Sequence, residues 1–182
     1  MQRKLDPQNL IRPARFAHVV LRVSDLAASV GWYQQLIGAD TVFGNDFVNF
    51  LTYDDEHHRI ALIQTPVKEL SPPGAPGLDH FAYTFNSMGA LLSTYRRLER
   101  LGIQPVWCIN HGPTTSFYYA DPDSNRVELQ YDNFPEVAEL AAFLSSGAFK
   151  KNPIGVEFDA EKLVARYENG DSLEELIQQG SA

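Results

Sequence analysis

The chain has 182 residues, 44% of them hydrophobic and 21% charged, which is the composition of a folded domain with an apolar core and excludes a disordered chain. Its formal net charge of −8, with no basic block, argues against nucleic acid and anionic membrane as partners. No apolar run approaches the roughly 18 residues that cross a bilayer; Met1–Arg12 lacks a signal-peptide core; and one cysteine, Cys108, excludes an internal disulfide framework and suits a reducing cytoplasm.

Residues 1–13 read as an arm with little structure of its own. Phe16–Val23 alternates and is β-branched, which predicts a strand. Ser24 or Asp25 can cap a following helix, with Leu26, Val30, Tyr33, Leu36 and Ile37 at helical spacing, and Gly38 stops it. Three strand-like runs follow, Asp40–Phe43, Phe47–Tyr53 and Arg59–Gln64. Residues 65–77 hold four prolines and two glycines and read as a linker. The pattern then starts again. Leu78–Phe85 is strand-like, Asn86 or Ser87 can cap a helix carrying Leu91, Leu92, Tyr95, Leu98 and Leu101, and Gly102 stops it. Runs at Gln104–Ile109, Thr115–Ala120 and Arg126–Tyr131 complete the second copy.

The two copies align. His18 over His80 and Tyr33 over Tyr95 give an offset of 62; Phe50 over Phe117, Asp54 over Asp121 and Arg59 over Arg126 give 67. One five-residue insertion between the helix and the third strand reconciles them. A repeat of this period is two copies of one supersecondary unit. The expected fold is therefore α+β: one domain over 1–182, with tandem strand-helix-three-strand modules at 14–66 and 78–132 forming an open mixed sheet, and a helical extension over 133–182. In that extension Pro135–Leu144 reads as a helix ended by Gly147, 152–155 as a turn, and Asp159 as the cap of Ala160–Glu168. Asp171 or Ser172 opens a last short helix, with Glu174 or Glu175 in capping-box position. By composition this tail is a packing or subunit-contact element without chemistry.

The chemistry sits at equivalent places of the repeat. The first strand of each copy carries a histidine, His18 and His80. The last carries Ala61 in one copy and Glu128 in the other. A carboxylate in mid-strand between aromatic neighbours suits a metal better than solvent. If the copies pack about a pseudo-twofold axis, three ligands and one methyl group converge. Two histidines and one carboxylate with an open shell suit Fe(II) or Mn(II), whereas structural zinc wants a closed four-ligand shell. The other histidines are His57-His58, just before Ala61, and His111, before Tyr118 on the strand expected to pair with that of Glu128. Alone, 54–58 reads as a polar turn, His111-Gly112-Pro113 as another, and Tyr118 as a core aromatic with a wet end. Cys108, in an apolar run, reads as a buried thiol.

These residues resemble the vicinal oxygen chelate superfamily of glyoxalases, bleomycin-resistance proteins and dioxygenases, and most closely its type I extradiol ring-cleaving dioxygenases. Phe16-Ala17-His18-Val19-Val20, Leu78-Asp79-His80-Phe81 and Arg126-Val127-Glu128-Leu129 look like their three iron-ligand strands. Asp55–Leu62 resembles their paired-histidine segment, which places the acid/base histidine on His58. Ser116-Phe117-Tyr118-Tyr119 resembles their substrate-tyrosine segment, and His111 falls where a further active-site histidine is expected. Strict alternation favours His57 instead, so His58 needs a turn or bulge at 56–59 to aim it inward. Glyoxalase I normally carries a carboxylate or amide where this chain has Ala61. The match covers 14–132 and one pair of modules, so the chain resembles the small single-domain enzymes of the biphenyl-2,3-diol type.

The resemblance implies Fe(II), with Mn(II) also accommodated, and an aromatic diol and dioxygen as reactants. The metal lowers the pKa of one diol hydroxyl, His58 exchanges the second proton, and Tyr118 donates to a substrate oxygen. His58, with His111 as a second candidate for that task, stabilises developing negative charge. The ring opens beside the diol to a yellow semialdehyde. Trp107, Phe117 and Tyr119 are candidate pocket walls. Symmetry statistics favour a homodimer. Alternatives on the same scaffold are a metal-dependent lyase, isomerase or thiol transferase, or a metal-free binding module; none of these requires the His58 and Tyr118 pair.

Overall fold

The repeat is visible in the computed structural model, which describes residues 10, 12–67, 69, 72 and 75–182. Most of the N-terminal arm and part of the linker lie outside these residues. The chain forms two compact units, Met1–Val67 and Lys68–Ala182. Each holds a mixed sheet with a helix on it, rather than both sharing one sheet.

In the first unit, β1 (Val19–Val23) leads into α1 (Leu26–Ile37), then β2 (Asp40–Gly44), β3 (Val48–Thr52) and β4 (Ile60–Gln64), with sheet order β1-β4-β3-β2. Asp25 caps α1 by accepting from the Ala28 amide, and Gly38 ends it at φ 66°, a left-handed turn that glycine takes without steric cost. Tyr33 and Leu36 on α1 are fully buried, as are Leu51 and Ile60 on the sheet. Each such side chain contributes about 2 kcal/mol of transfer free energy. β1 and β4 run parallel, with Val20 opposite Ala61, and Phe50 faces Ala61 from the antiparallel side.

The second unit repeats this with β5 (His80–Thr84), α2 (Met88–Arg100), β6 (Trp107–Asn110), β7 (Thr114–Ala120) and β8 (Arg126–Asp132). Its sheet order is β5-β8-β7-β6, extended by β9 (Val156–Glu157) from the C-terminal tail. Ser87 caps α2 by accepting from the Ala90 amide. Here Ala82 and Tyr118 flank Glu128, just as Val20 and Phe50 flank Ala61. The offsets of 62 and 67 therefore hold for the parallel pair. The third strands shift by one: Phe50 corresponds to Tyr118, not Phe117. Phe50 to Ala61 spans eleven positions and Tyr118 to Glu128 ten, so the first module's hairpin is one residue longer. The five-residue insertion is accounted for mainly by the longer connection between α2 and β6.

The tail departs more from expectation. Its first helix, α3 (Val137–Ser145), ends at Ser146, whose backbone is extended, and Gly147 opens a second short helix, α4 (Gly147–Lys151), instead of closing the first. β9 is too short to carry a period of its own. α5 (Ala160–Glu168) has the predicted bounds and cap, its Leu163 and Val164 buried. α6 (Leu173–Leu176) opens with the predicted capping box, Ser172 with Glu175. Glu161 on α5 accepts from the Tyr95 hydroxyl at 2.5 Å and from Arg96 at 2.7 and 2.8 Å, which fastens the tail to α2. Among the described residues, no helix is long and apolar enough to cross a membrane.

Candidate active site

In the second unit the site grows from Glu128, in the middle of β8 and 4% exposed. A carboxylate this buried needs a compensating charge or donor. Its Oε2 lies 3.2 Å from Nε2 of His80. The other ring nitrogen of His80, Nδ1, donates to Asp79 Oδ2 at 2.7 Å. That bond fixes the ring and leaves Nε2 facing Glu128, the arrangement in which a carboxylate orients a metal-binding histidine. It also holds the Asp79 carboxyl below its ordinary range, the His80 hydrogen bond being the largest cause.

Tyr118 stands opposite Glu128 on β7 and is 3% exposed. Its ring meets His80 edge-on, with centroids 5.1 Å apart, and its hydroxyl lies 3.0 Å from His111 Nε2. Burial, then the charge and hydrogen bond of Glu128, raise its pKa, so it is a proton donor rather than a phenolate. The Arg126 guanidinium lies over the rings of Tyr118 and Trp107, 5.0 and 5.5 Å from their centroids. Trp107, opposite Tyr118 on β6, completes an aromatic wall with centroids 5.0 Å apart. Phe117 and Tyr119 are core residues, both buried.

In the first unit Arg59 sets the site. Its guanidinium pairs with Asp54 and donates to the carbonyls of Phe16 at 2.8 Å and Ala17 at 3.1 Å. Its own carbonyl accepts from Val19 at 3.1 Å. Together these bonds fix the backbone on both sides of His18. The His58 ring lies 4.2 Å from that of His18 and stacks on Phe50 at 4.5 Å and 13°. His57 is farther from His18, at 6.0 Å, and more exposed. The Nδ1 atoms of His57 and His58 are 2.6 Å apart. Desolvation, then the neighbouring His18 and His57, hold His58 below the ordinary imidazole range. Nδ1 of His18 is buried without a hydrogen-bond partner. His18, His57 and His58 form a group that could hold a cation, their ligand atoms within 4.8 Å of one another.

The structure thus brings His80, Glu128, Tyr118 and His111 together, and separately His18, His57 and His58. The alternation that favoured His57 does not reach it, because β4 begins at Ile60 and 53–59 is a string of bends. Ala61 is a buried methyl group where its counterpart is Glu128. The sequence reading missed Asp79 and Arg126 as site residues. Both were within reach: Asp79 adjoins His80, and Arg126 is the repeat partner of Arg59. It also missed the tail, which touches His111 and Trp107 through contacts that no local pattern announces.

The family model of the Glyoxalase/Bleomycin resistance protein/Dioxygenase superfamily matches residues 15–129. The chain belongs to that superfamily. Two curated relatives from Rhodococcus globerulus are similar over most of its length. Biphenyl-2,3-diol 1,2-dioxygenase 2 is 46% identical over 146 residues, 80% of this chain and 77% of its own. Biphenyl-2,3-diol 1,2-dioxygenase 3 is 40% identical over 164 residues, 89% of this chain and 86% of its own. Among solved structures, lactoylglutathione lyase from Agrobacterium tumefaciens superposes with a TM-score of 0.53 at 20% identity, covering 65% of this chain and 94% of that one. That likeness concerns the fold alone. This superfamily member keeps both modules in one short chain, and the model's match ends at Leu129, so the tail falls outside it.

Proposed function

We propose that this protein is an extradiol ring-cleaving dioxygenase, acting on a 2,3-dihydroxybiphenyl-like catechol with dioxygen. The arrangement that carries the reading is the buried Glu128 facing His80 Nε2, with the proton-donating Tyr118 beside it; the names of the two Rhodococcus relatives support the substrate class. His18, His80 and Glu128 would hold a divalent metal, Fe(II) or Mn(II). The donor chemistry fits: two imidazoles and a carboxylate, one imidazole oriented by Asp79 and the other with an unpartnered Nδ1. When bound, the metal supplies Lewis acidity toward the diol and the redox chemistry that dioxygen requires.

The rest falls to side chains. Tyr118 donates its hydroxyl proton to a diol oxygen and fixes the ring plane. Trp107 presents an aromatic wall for the same ring. His58, kept neutral by its surroundings, accepts the second diol proton at Nε2, since its Nδ1 faces His57. His111 Nε2 lies against the Tyr118 hydroxyl and orients it. In this reading 1–182 is one functional domain of a cytoplasmic homodimer.

The test is direct. Protein purified anaerobically and loaded with Fe(II) should consume oxygen with 2,3-dihydroxybiphenyl or a simple catechol and give a yellow ring-opened product. Absence of oxygen uptake with every catechol tried would overturn the assignment. Elemental analysis identifies the metal.

A further inference from the structure

The C-terminal tail was expected to be structural, yet one short segment of it ends on the site. β9 pairs with β6 through Val156 opposite Asn110 and Glu157 opposite Ile109. That pairing brings two groups against the aromatic wall. The Ile154 carbonyl meets His111 Nδ1, and Glu157 Oε1 accepts from Trp107 Nε1 at 2.7 Å.

The segment is built to sit there. Asn152 closes its turn, donating from Nδ2 to the Gly155 carbonyl at 2.6 Å and accepting from the Gly155 amide at 3.1 Å. Gly155 has φ 116°, and a Cβ there would stand 2.3 Å from the Asn110 carbonyl oxygen and 2.7 Å from His111 Cα. No other residue allows both that backbone and that approach. Farther along, Gln179 donates to the Asn110 carbonyl at 2.9 Å, and Asn110 donates to the Ile177 carbonyl at 2.8 Å. The tail therefore grips the end of β6 from two places.

We propose that residues 152–157 are a positioning element of the active site: the Ile154 carbonyl sets the tautomer of His111, and Glu157 sets the orientation of Trp107. The first part follows from hydrogen-bond chemistry. A carbonyl oxygen only accepts, so His111 Nδ1 must carry a proton. In the neutral ring, Nε2 then keeps a lone pair aimed at the Tyr118 hydroxyl, 3.0 Å away. The single proton of Tyr118 then has two acceptors before substrate arrives, His111 Nε2 and the Glu128 carboxylate. Without Ile154, the ring is free to flip or to protonate Nε2 instead, and Tyr118 is left with the Glu128 carboxylate as its acceptor. The second part is geometric. The Trp107 indole has one donor, and Glu157 accepts from it at 2.7 Å, which fixes the ring whose neighbours are Tyr118 and Arg126.

The inference rests on the dioxygenase reading for its consequence but not for its principal measurement. Proton–nitrogen correlation spectra of the full chain, labelled with 15N-histidine and 15N-tryptophan and without added metal or substrate, report the His111 tautomer and the Trp107 indole directly. The expected wild-type result is His111 protonated at Nδ1. Asn152→Ala or Gly155→Val should move it toward the Nε2-protonated form. Glu157→Ala should shift the Trp107 indole resonance, and Glu157→Gln, which retains the acceptor, should restore it. In diol turnover, the Asn152 and Glu157→Ala variants should each lose about 10-fold in kcat/KM, with Glu157→Gln near wild type. A wild-type His111 protonated at Nε2 overturns the inference even if every variant fails to fold. So do folded Asn152→Ala and Gly155→Val proteins with the tautomer unchanged, or a Trp107 indole resonance left unmoved by Glu157→Ala. If wild type turns over no catechol while the spectra behave as stated, the dioxygenase reading fails and the positioning role stands.

Discussion

Asp79→Ala isolates the bond that orients His80. Asp79 Oδ2 accepts from His80 Nδ1 at 2.7 Å, and its side chain is 73% exposed. A hydrogen bond with one charged partner contributes roughly 1.5–3 kcal/mol when shielded; solvent screening at this exposure reduces that to about 1 kcal/mol. Metal affinity should therefore fall about fivefold, just below the roughly 10- to 100-fold typical when the group behind a metal-bound histidine is removed. Asp79→Asn, which keeps an acceptor and loses the charge, should fall between. The sign with pH is fixed by the depressed carboxyl: the contribution is complete above the ordinary carboxyl range and is lost only as pH falls through the lowered folded value. It is thus fully present at pH 7. The assay is anaerobic competition for Fe(II) or Mn(II) against a chromophoric chelator, with urea unfolding of the metal-free proteins run beside it. If folded Asp79→Ala binds metal as tightly as wild type, Asp79 does not orient His80 and the argument for its role fails.

Three further outcomes follow from the same structure. His58→Ala should retain its metal and lose turnover by about 10²- to 10⁴-fold, measured as metal content and oxygen uptake on one sample; full activity would move the base elsewhere. Cys108 is half-buried rather than buried as expected; its thiol, pushed up to about 12 by desolvation and then by Asp159 and Glu157, should resist iodoacetamide at pH 8 in the folded protein and react faster in urea, and equally rapid labelling of the native chain would contradict that shift. Gly38→Ala should cost about 1 kcal/mol in urea unfolding, because Gly38 sits at φ 66° with no atom near the added methyl group, so strain is the whole effect; an unchanged midpoint would mean that the turn relaxes.

The modules were legible because their signals are local. Tyr33 and Tyr95 each mark a buried helix face, and Asp25 and Ser87 each cap the helix they precede. The carboxylate of Glu128 stood out because a strand interior flanked by apolar residues gives no reason for a charge. What could not be read was anything decided by register at a distance. The correspondence of Phe50 with Tyr118 turns on a single extra residue in a hairpin. The aim of His58 depends on where β4 begins. The contacts of Ile154 and Glu157 with the site join residues more than 40 positions apart, through a two-residue strand that no periodicity can announce.

The two connections that precede the last strands divide their work in opposite ways. In the second module Asp121 accepts from the backbone and side-chain amides of Asn125 at 2.8 and 2.9 Å, and Arg126 lies on the aromatic wall. In the first, at the repeat offset of 67, His58 stands in place of Asn125. There Asp54 grips Arg59 instead, at 2.8–3.1 Å, and the histidine is left to stack beside His18. One turn closes upon itself and surrenders its arginine; the other borrows its arginine for closure and surrenders a histidine. Duplication lets a chain specialise in this manner, since each copy need keep only one of two alternative fastenings. A chimera exchanging 54–59 with 121–126 would carry the histidine into the module that already holds the carboxylate.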